Sequence, residues 1–425
     1  MRDLLCRLAS PDAQTQLAWH ANLWFWPVVR AAAGFYRRVV VRRPRVVAVV
    51  GSVGKTTTTR AVMAVLDLAE TRRVESNYLC QAGLALLGVR PGDRWAAIEV
   101  AIRRPGEMAP CAAMLRPDVA VVTRIASEHR TSLGTLEATR REKVPMVEAL
   151  PRSGLAVLNG DDPNVLWMAG RTKARVVTYG FGAACDVRAD AVRLDWPRGT
   201  RFRLHLAGRT RQVRVRLIGR HMVYPVLAAS AVAWAEGVDL DAALARLEGL
   251  APTAGRMEPV PLPSGAVVLR DDLKNPLETA EAALDVLAEV PARRRIVVLG
   301  MVAEPPEPLG PMYRRLGARL GKAAAQVIFC GPRRCLGPLR TGAVGAGLDR
   351  GQVVHAGWSV REALRALPAD LGPGDVVFIK GPREARLERV AAALAGHDVG
   401  CNRGRCSVRM VPCTACPAFR GAGGG

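Results

Sequence analysis

An apolar, β-branched run from Arg45 to Val50 passes directly into Gly51-Ser52-Val53-Gly54-Lys55-Thr56-Thr57, and a helical pattern follows from Arg60 to Ala69. A strand that empties into a glycine turn and a helix N-terminus forms a phosphate cradle. Backbone N–H groups and the helix dipole face the anion, the lysine adds a point charge, and the threonine hydroxyl suits Mg²⁺. Few folds accept this unit outside a parallel α/β sheet. The spacing is narrower than Gly-x-x-x-x-Gly-Lys-Thr, because position 49 is Val49 and the first glycine is Gly51. Gly51, Ser52, Gly54, Lys55, Thr56 and Thr57 are therefore the expected nucleotide-binding residues of a narrower type of loop.

The rest of the chain repeats the alternation of strand and helix that a mostly parallel sheet requires. Strand-like runs fall at Val46–Val50, Trp95–Val100, Val119–Thr123 and Leu155–Asn159, with a helix expected over Glu137–Leu150. Residues 186–217 alternate valine or leucine with arginine, as a solvent-facing antiparallel hairpin does. A helix pattern over Tyr224–Ala235 and a linker at Pro252-Thr-Ala-Gly255 follow. Alternation then resumes from Val267 to Ala395, including helices over Met312–Ala325 and Glu384–Ala395, and marks a second, smaller α/β domain. The expected division is an aromatic and basic segment over 1–44, a nucleotide-binding domain over 45–250, a C-terminal α/β domain over 251–396 and a cysteine-containing tail over 397–425.

The formal net charge is +23, yet basic residues are spread along the chain and aromatic content is 5%. No nucleic-acid-binding pattern accompanies the charge, so no specific nucleic-acid partner is expected. Diffuse positive charge suits anionic substrates or a membrane surface. Only six of the 61 basic residues are lysine: Lys55, Lys143, Lys173, Lys274, Lys322 and Lys380. Arginine stays protonated, whereas lysine can become a neutral amine and can be modified. A lysine retained in such a chain is a candidate for chemistry, although Lys173 and Lys322 sit in ordinary polar surroundings. Six scattered cysteines suit a reducing cytoplasm. Trp19, Leu23, Trp24, Phe25 and Trp26, followed by Arg30, Arg37, Arg38, Arg42 and Arg43, leave two readings open. One is a peripheral contact with an anionic leaflet. The other is a helix packed on the nucleotide-binding domain.

Taken in order, the motifs resemble the Mur ligase family. The loop itself is followed by Asn77-Tyr78 and Gly83, by Ala97-Ile-Glu99-Val with Gly106-Glu107, and by Arg116-Pro-Asp118-Val-Ala-Val-Val-Thr123 running on to His129. Next come Gly134-Thr-Leu-Glu-Ala-Thr-Arg-Arg-Glu-Lys143, Leu158-Asn159-Gly-Asp161-Asp162, Gly219-Arg220-His221 and Gly255-Arg256-Met-Glu258. Asp271-Asp272, Val298-Leu-Gly300-Met and Gly374 to Lys380-Gly381 complete the series, which covers about residues 45–395. The last two runs are nearest to the D-alanyl-D-alanine-adding branch of the family.

The resemblance implies an α/β fold, with a P-loop-containing central domain followed by a Rossmann-like C-terminal domain. It also implies a cytoplasmic, cell-wall-related, ATP- and Mg²⁺-dependent ligase joining a small-molecule carboxylate acceptor to an amino acid or peptide. The carboxylate would take the γ-phosphoryl group and become an acyl phosphate, which the amine then attacks. Lys55 and the loop amides would hold the phosphates, and Thr56 with Glu99 would hold one Mg²⁺. By the same resemblance, His129 and a carbamate on Lys143 would support a second Mg²⁺. Arg256 with Asp271 or Asp272 would meet ATP, and Asn77, Lys274 and Lys380 would meet substrate.

Four departures qualify it, the first being that the family's Thr-Asn-Ile is Thr123-Arg124-Ile125 here. An asparagine that contacts adenine in the family is Pro225 here, the run after Asp271-Asp272 is shortened, and about 44 residues precede the ATP loop where cell-wall members carry a UDP-sugar domain. A nucleotide-binding scaffold without turnover, held at the membrane, is the alternative these departures leave. In the tail, Cys401, Cys406, Cys413 and Cys416 suit Zn²⁺ by composition, while a redox role or none stays open.

Overall fold

The computed structural model describes residues 11–69, 79–127, 130–406, 408, 412–416 and 418–419. Two compact units make up the chain, one over Leu17–Ala251 and the other built chiefly of Pro252–Gly425.

Helix α1 (Pro11–Val39) leads into the first unit, and strand β1 (Arg45–Val50) follows it. There follow α2 (Lys55–Val65), α3 (Leu79–Leu87), β2 (Trp95–Glu99), α4 (Met108–Leu115), β3 (Val119–Val122), α5 (Leu136–Lys143), β4 (Leu155–Asn159) and β5 (Arg175–Gly180). These strands pair in parallel in the order β2-β1-β3-β4-β5. Such an order reverses direction beside β1, and ligands of open α/β sheets bind at the carboxyl ends of the strands at this switch point. Val46, Val47, Ala48, Val49 and Val50 are all fully buried, as a strand covered on both faces demands. Strands β6 (Val187–Asp195), β7 (Gly199–Leu206) and β8 (Arg209–Val215) extend the sheet as an antiparallel meander, and α6 (Val223–Ala235) and α7 (Leu240–Gly249) close the unit.

The second unit is a six-stranded sheet of order β13-β12-β11-β14-β10-β9. Its elements are β9 (Glu258–Pro261), β10 (Val267–Asp271), α8 (Leu277–Glu289), β11 (Arg294–Gly300), α9 (Leu309–Ala323), β12 (Gln326–Cys330), α10 (Arg333–Gly345), β13 (Val353–His355), α11 (Val360–Ala366), β14 (Asp375–Lys380) and α12 (Glu388–Leu394). All neighbours are parallel except β9 with β10.

Three helices differ from the sequence expectation. The helix after the phosphate loop starts at Lys55 itself and ends at Val65. The helix expected over Glu137–Leu150 stops at Lys143, and a one-turn helix restarts over Pro145–Glu148. Pro145 lacks an N–H and crowds the preceding residue, so it begins a helix more readily than it continues one. The last helix starts at Glu388 rather than Glu384, because Arg386 adopts a left-handed φ of 51° after a short 3₁₀ turn.

Candidate active site

The phosphate loop lies between the carboxyl ends of β1 and β3. Gly51 has φ 143°, and a Cβ there would fall 1.9 Å from Thr123 Oγ1. Thr123 directly follows the third strand; its hydroxyl donates to the Val53 carbonyl at 2.7 Å and to that of Val50 at 3.2 Å. The amide of Ser52 donates to the Arg124 carbonyl at 2.6 Å. The loop is thus tied to the neighbouring strand end, and glycine at 51 is what lets the two backbones approach. Gly54, with φ 84°, turns the chain into α2.

The ammonium of Lys55 is buried and donates to the carbonyls of Gly51 (2.9 Å) and Ser52 (2.7 Å). Those bonds hold the side chain along the loop. Thr56 Oγ1 donates to Glu99 Oε1 at 3.3 Å, and Glu99 is only 7% exposed at the end of β2. A neutral hydroxyl beside a buried carboxylate at a helix N-terminus offers hard oxygen donors of the kind Mg²⁺ takes. The donor set therefore fits that ion.

Lys143 is 2% exposed at the last turn of α5. Beside it, Glu142 accepts the amides of Gly106 (2.9 Å) and Met108 (3.0 Å), while Glu107 accepts those of Arg103 and Arg104. The lysine-bearing helix is thereby fastened to the loop that precedes α4. Asn77 and His129 lie outside the described residues.

Asn159 and Asp162, which the sequence offers as motif residues without a role, and Tyr179, which it does not single out, shape this end of the sheet. Asp162 accepts the Ile125 amide at 2.8 Å, Asn159 donates to the Thr123 carbonyl at 2.8 Å, and the Tyr179 hydroxyl donates to the Val122 carbonyl at 3.0 Å. Together they fix the strand end that carries Thr123. Pro225 is buried within α6, next to Tyr224, whose hydroxyl donates to Asp161. Tyr224 packs edge-on against Phe181 with centroids 4.8 Å apart, and Arg220 stacks 3.8 Å above the Phe181 ring.

In the second unit, Asp271 and Lys380 end adjacent parallel strands in register. They form a 2.7 Å ion pair, and the Lys380 ammonium also donates to the Lys274 carbonyl at 2.7 Å and to Thr279 Oγ1 at 3.2 Å. Burial pulls Lys380 below the ordinary lysine range, with Asp271 opposing. Asp272 is held by both arms of Arg270 at 3.2 Å. Burial raises its carboxyl to about 6, against the pull of Arg270. These contacts give Asp272 and Lys380 internal partners, whereas Lys274 and Arg256 are half-exposed.

Cys401, Cys406, Cys413 and Cys416 line one small cavity with Arg386 and Arg389. Among the described residues, no group of three or more His, Cys, Asp or Glu is arranged to hold a metal ion. The surroundings explain this in part. Arg389 donates to Cys401 Sγ at 3.3 Å, and two buried guanidiniums oppose a further cation. The zinc expectation for this tail finds no support.

Parallel strand ends, a glycine loop at a helix N-terminus, and a Thr–Glu pair suited to Mg²⁺ mark a nucleotide-binding α/β protein of the P-loop type. Comparison with known proteins narrows the class. Residues 49–233 match the Mur ligase middle domain, and residues 255–383 match the Mur ligase glutamate ligase domain. Over 375 residues the chain is 32% identical to the UDP-N-acetylmuramoyl-tripeptide–D-alanyl-D-alanine ligase of Mycobacterium bovis, covering 83% of this chain and 73% of that protein. A crystal structure of MurF from Acinetobacter baumannii superposes with a TM-score of 0.76 at 23% identity, over 88% of this chain and 81% of that one. The ADP complex of MurF from Thermotoga maritima gives 0.73 at 21% identity, over 87% and 83%. The chain belongs to the Mur ligase family, and it is a MurF-like, ATP-dependent ligase that forms an amide bond between a carboxylate and an amino acid or peptide through an acyl phosphate.

Proposed function

We propose that this ligase extends a cell-wall peptide precursor, activating a peptide carboxylate and joining it to an amino acid or short peptide. The observation that carries the reading is the part-buried Thr56–Glu99 pair set beside the Lys55 loop, within a chain 32% identical to a ligase that adds D-alanyl-D-alanine. Lys55 and the loop amides orient the γ-phosphoryl group toward the acceptor carboxylate and offset its charge. Thr56 and Glu99 would hold Mg²⁺, which when bound neutralises charge on the phosphate oxygens. Lys143 would carry a carbamate, since a primary amine captures CO₂ where a guanidinium does not; His129 would assist at that side. The Phe181–Tyr224 pair with Arg220 offers an aromatic platform for the base, in place of the asparagine that Pro225 replaces. Arg256, Lys274 and Asn77 remain the groups assigned to nucleotide and substrate contacts. The enzyme would work in the cytoplasm as a peripheral protein at an anionic membrane face.

The test supplies ATP and Mg²⁺ with a panel of peptide acceptors, with and without D-alanyl-D-alanine or single amino acids, and adds hydroxylamine. ADP release that needs an acceptor, together with a hydroxamate on its carboxylate, supports the reading. ATP turnover that ignores every peptide acceptor, with no hydroxamate, overturns the choice of substrate.

A further inference from the structure

The pole of the first unit opposite the phosphate loop carries a second concavity. A cavity of about 340 Å³ opens at the N-terminal ends of the strands, lined by Arg45, Arg94, Trp95, Arg152, Arg175 and Glu236 among others. Its volume falls in the range of small-ligand sites. Four guanidiniums face one carboxylate, Glu236, which pairs with Arg45 at 2.6 Å. The Nε of Arg45 is buried without a hydrogen-bond partner. Arg45 and Arg94 flank the Trp95 ring at 5.8 and 5.6 Å, and Arg175 lies 5.2 Å from the Trp234 ring. The charge therefore rests on a rigid aromatic frame.

Helix α1 delivers the chain to this pole. Arg37 fastens its C-terminal end there, donating to the carbonyls of Val41, Pro44 and Leu115 and pairing with Asp118 at 2.8 Å. One face of the helix packs inward through Ala33, Gly34 and Arg37. The other leaves Trp24 (83% exposed), Phe25, Val28, Phe35 and Val39 uncovered. Arg38, Arg42 and Arg43 are exposed around that face, and no Asp or Glu occurs between Ala13 and Leu66. No helix among the described residues is long and apolar enough to cross a membrane. Exposed Trp and Phe beside arginine, with carboxylates excluded, match an anionic bilayer surface in both charge and depth. An apolar protein partner would not call for that exclusion of acid.

We propose that α1 and the Arg45–Arg94–Arg152–Arg175 cavity form one docking surface for an anionic phospholipid bilayer. The Trp24–Phe25 face enters the headgroup layer, and the cavity receives a lipid phosphate. The inference rests on the peripheral-membrane part of the proposed function and leaves the ligase chemistry aside, because vesicle binding is read without substrates.

The experiment sediments the full chain with vesicles of phosphatidylcholine alone and of phosphatidylcholine with 30% phosphatidylglycerol, and measures its mass in solution by light scattering. Binding to the anionic vesicles only, weakened by salt, is expected. Trp24→Glu/Phe25→Glu should lower the bound fraction at least about tenfold, since each exchanges buried apolar area for charge. Arg94→Gln/Arg152→Gln should reduce the preference for anionic lipid by a similar factor while ATP turnover in solution stays at the wild-type level. Equal binding to both vesicles, no binding to either, or a dimer that Trp24→Glu/Phe25→Glu dissociates overturns the proposal. Inhibition of anionic-vesicle binding by millimolar inorganic phosphate alone would mean a free-phosphate site and would also overturn it.

Discussion

Thr56 and Glu99 meet across the first two strands: the hydroxyl at the start of α2 donates to the carboxylate that ends β2, at 3.3 Å. Register explains the meeting, because Val49 on β1 lies opposite Glu99, and the loop after Val50 returns Thr56 over that strand end. The pair places a carboxylate oxygen beside the phosphate loop.

Glu99→Gln keeps the shape of that contact and removes its charge. The Mg²⁺ concentration giving half-maximal ADP release should rise at least about tenfold, the scale of losing one metal contact. Nucleotide binding without metal should change little. A Mg²⁺ titration of turnover alongside equilibrium ATP binding checks both parts.

Gly51→Ala would force a methyl group onto Thr123 Oγ1 at a backbone angle that disfavours side chains. The expected loss is roughly 2–4 kcal/mol, from strain and overpacking together. Adding Thr123→Ala should return part of it, so the two changes should cost less together than their separate costs summed. Urea unfolding of the two single variants and the double variant measures the coupling.

Asp272 gives the fold a pH dependence with a definite sign. Its native carboxyl lies at about 6, above the ordinary value of 3.8, so the folded protein binds the extra proton. The stability it contributes is complete below the unfolded value and is lost as pH rises from about 4 to 6, by an amount on the order of 3 kcal/mol. Asp272→Asn, which cannot ionise, should flatten the unfolding free energy across that window. An unfolding series from pH 4 to 7 reads the slope directly.

Lys143→Ala should lower turnover roughly 100-fold if its carbamate supports the metal, the scale of losing one charge-stabilising group. Added short carboxylic acids should restore part of the activity by supplying the missing oxygens. Lys143→Arg should not recover under the same conditions. A carbamate carbon signal from ¹³C-bicarbonate, present in the parent and missing from both variants, provides a readout separate from rate.

The parts of the fold visible in the sequence were those governed by local rules. Strand β1, its glycine turn and the helix behind it follow from a β-branched run meeting Gly-Lys-Thr. The break at Val144–Pro145 is also local: Pro145 lies inside the helix expected over Glu137–Leu150 and restarts it as a separate turn. Strand β5 was overlooked, because arginine and threonine dilute its apolar character. What could not be read was set by distance along the chain. Nothing near Glu142 announces that it binds the amides of Gly106 and Met108, and nothing near Asp162 points to Ile125. Asp271 and Asp272 look equivalent as neighbours, yet strand alternation sends one to Lys380 and the other to Arg270.

The closeness of Gly51 to Thr123 bears on how this enzyme could be remodelled. A phosphate loop borrowed from another nucleotide-binding protein would arrive shaped for a different third strand, and a bulkier first residue would strike the threonine at once. The unit that can be exchanged is therefore a pair of segments far apart in the chain. Libraries that randomise only the loop would mostly sample proteins that fail before nucleotide choice is tested, whereas varying both strand ends together would keep the cradle intact while its occupant changes.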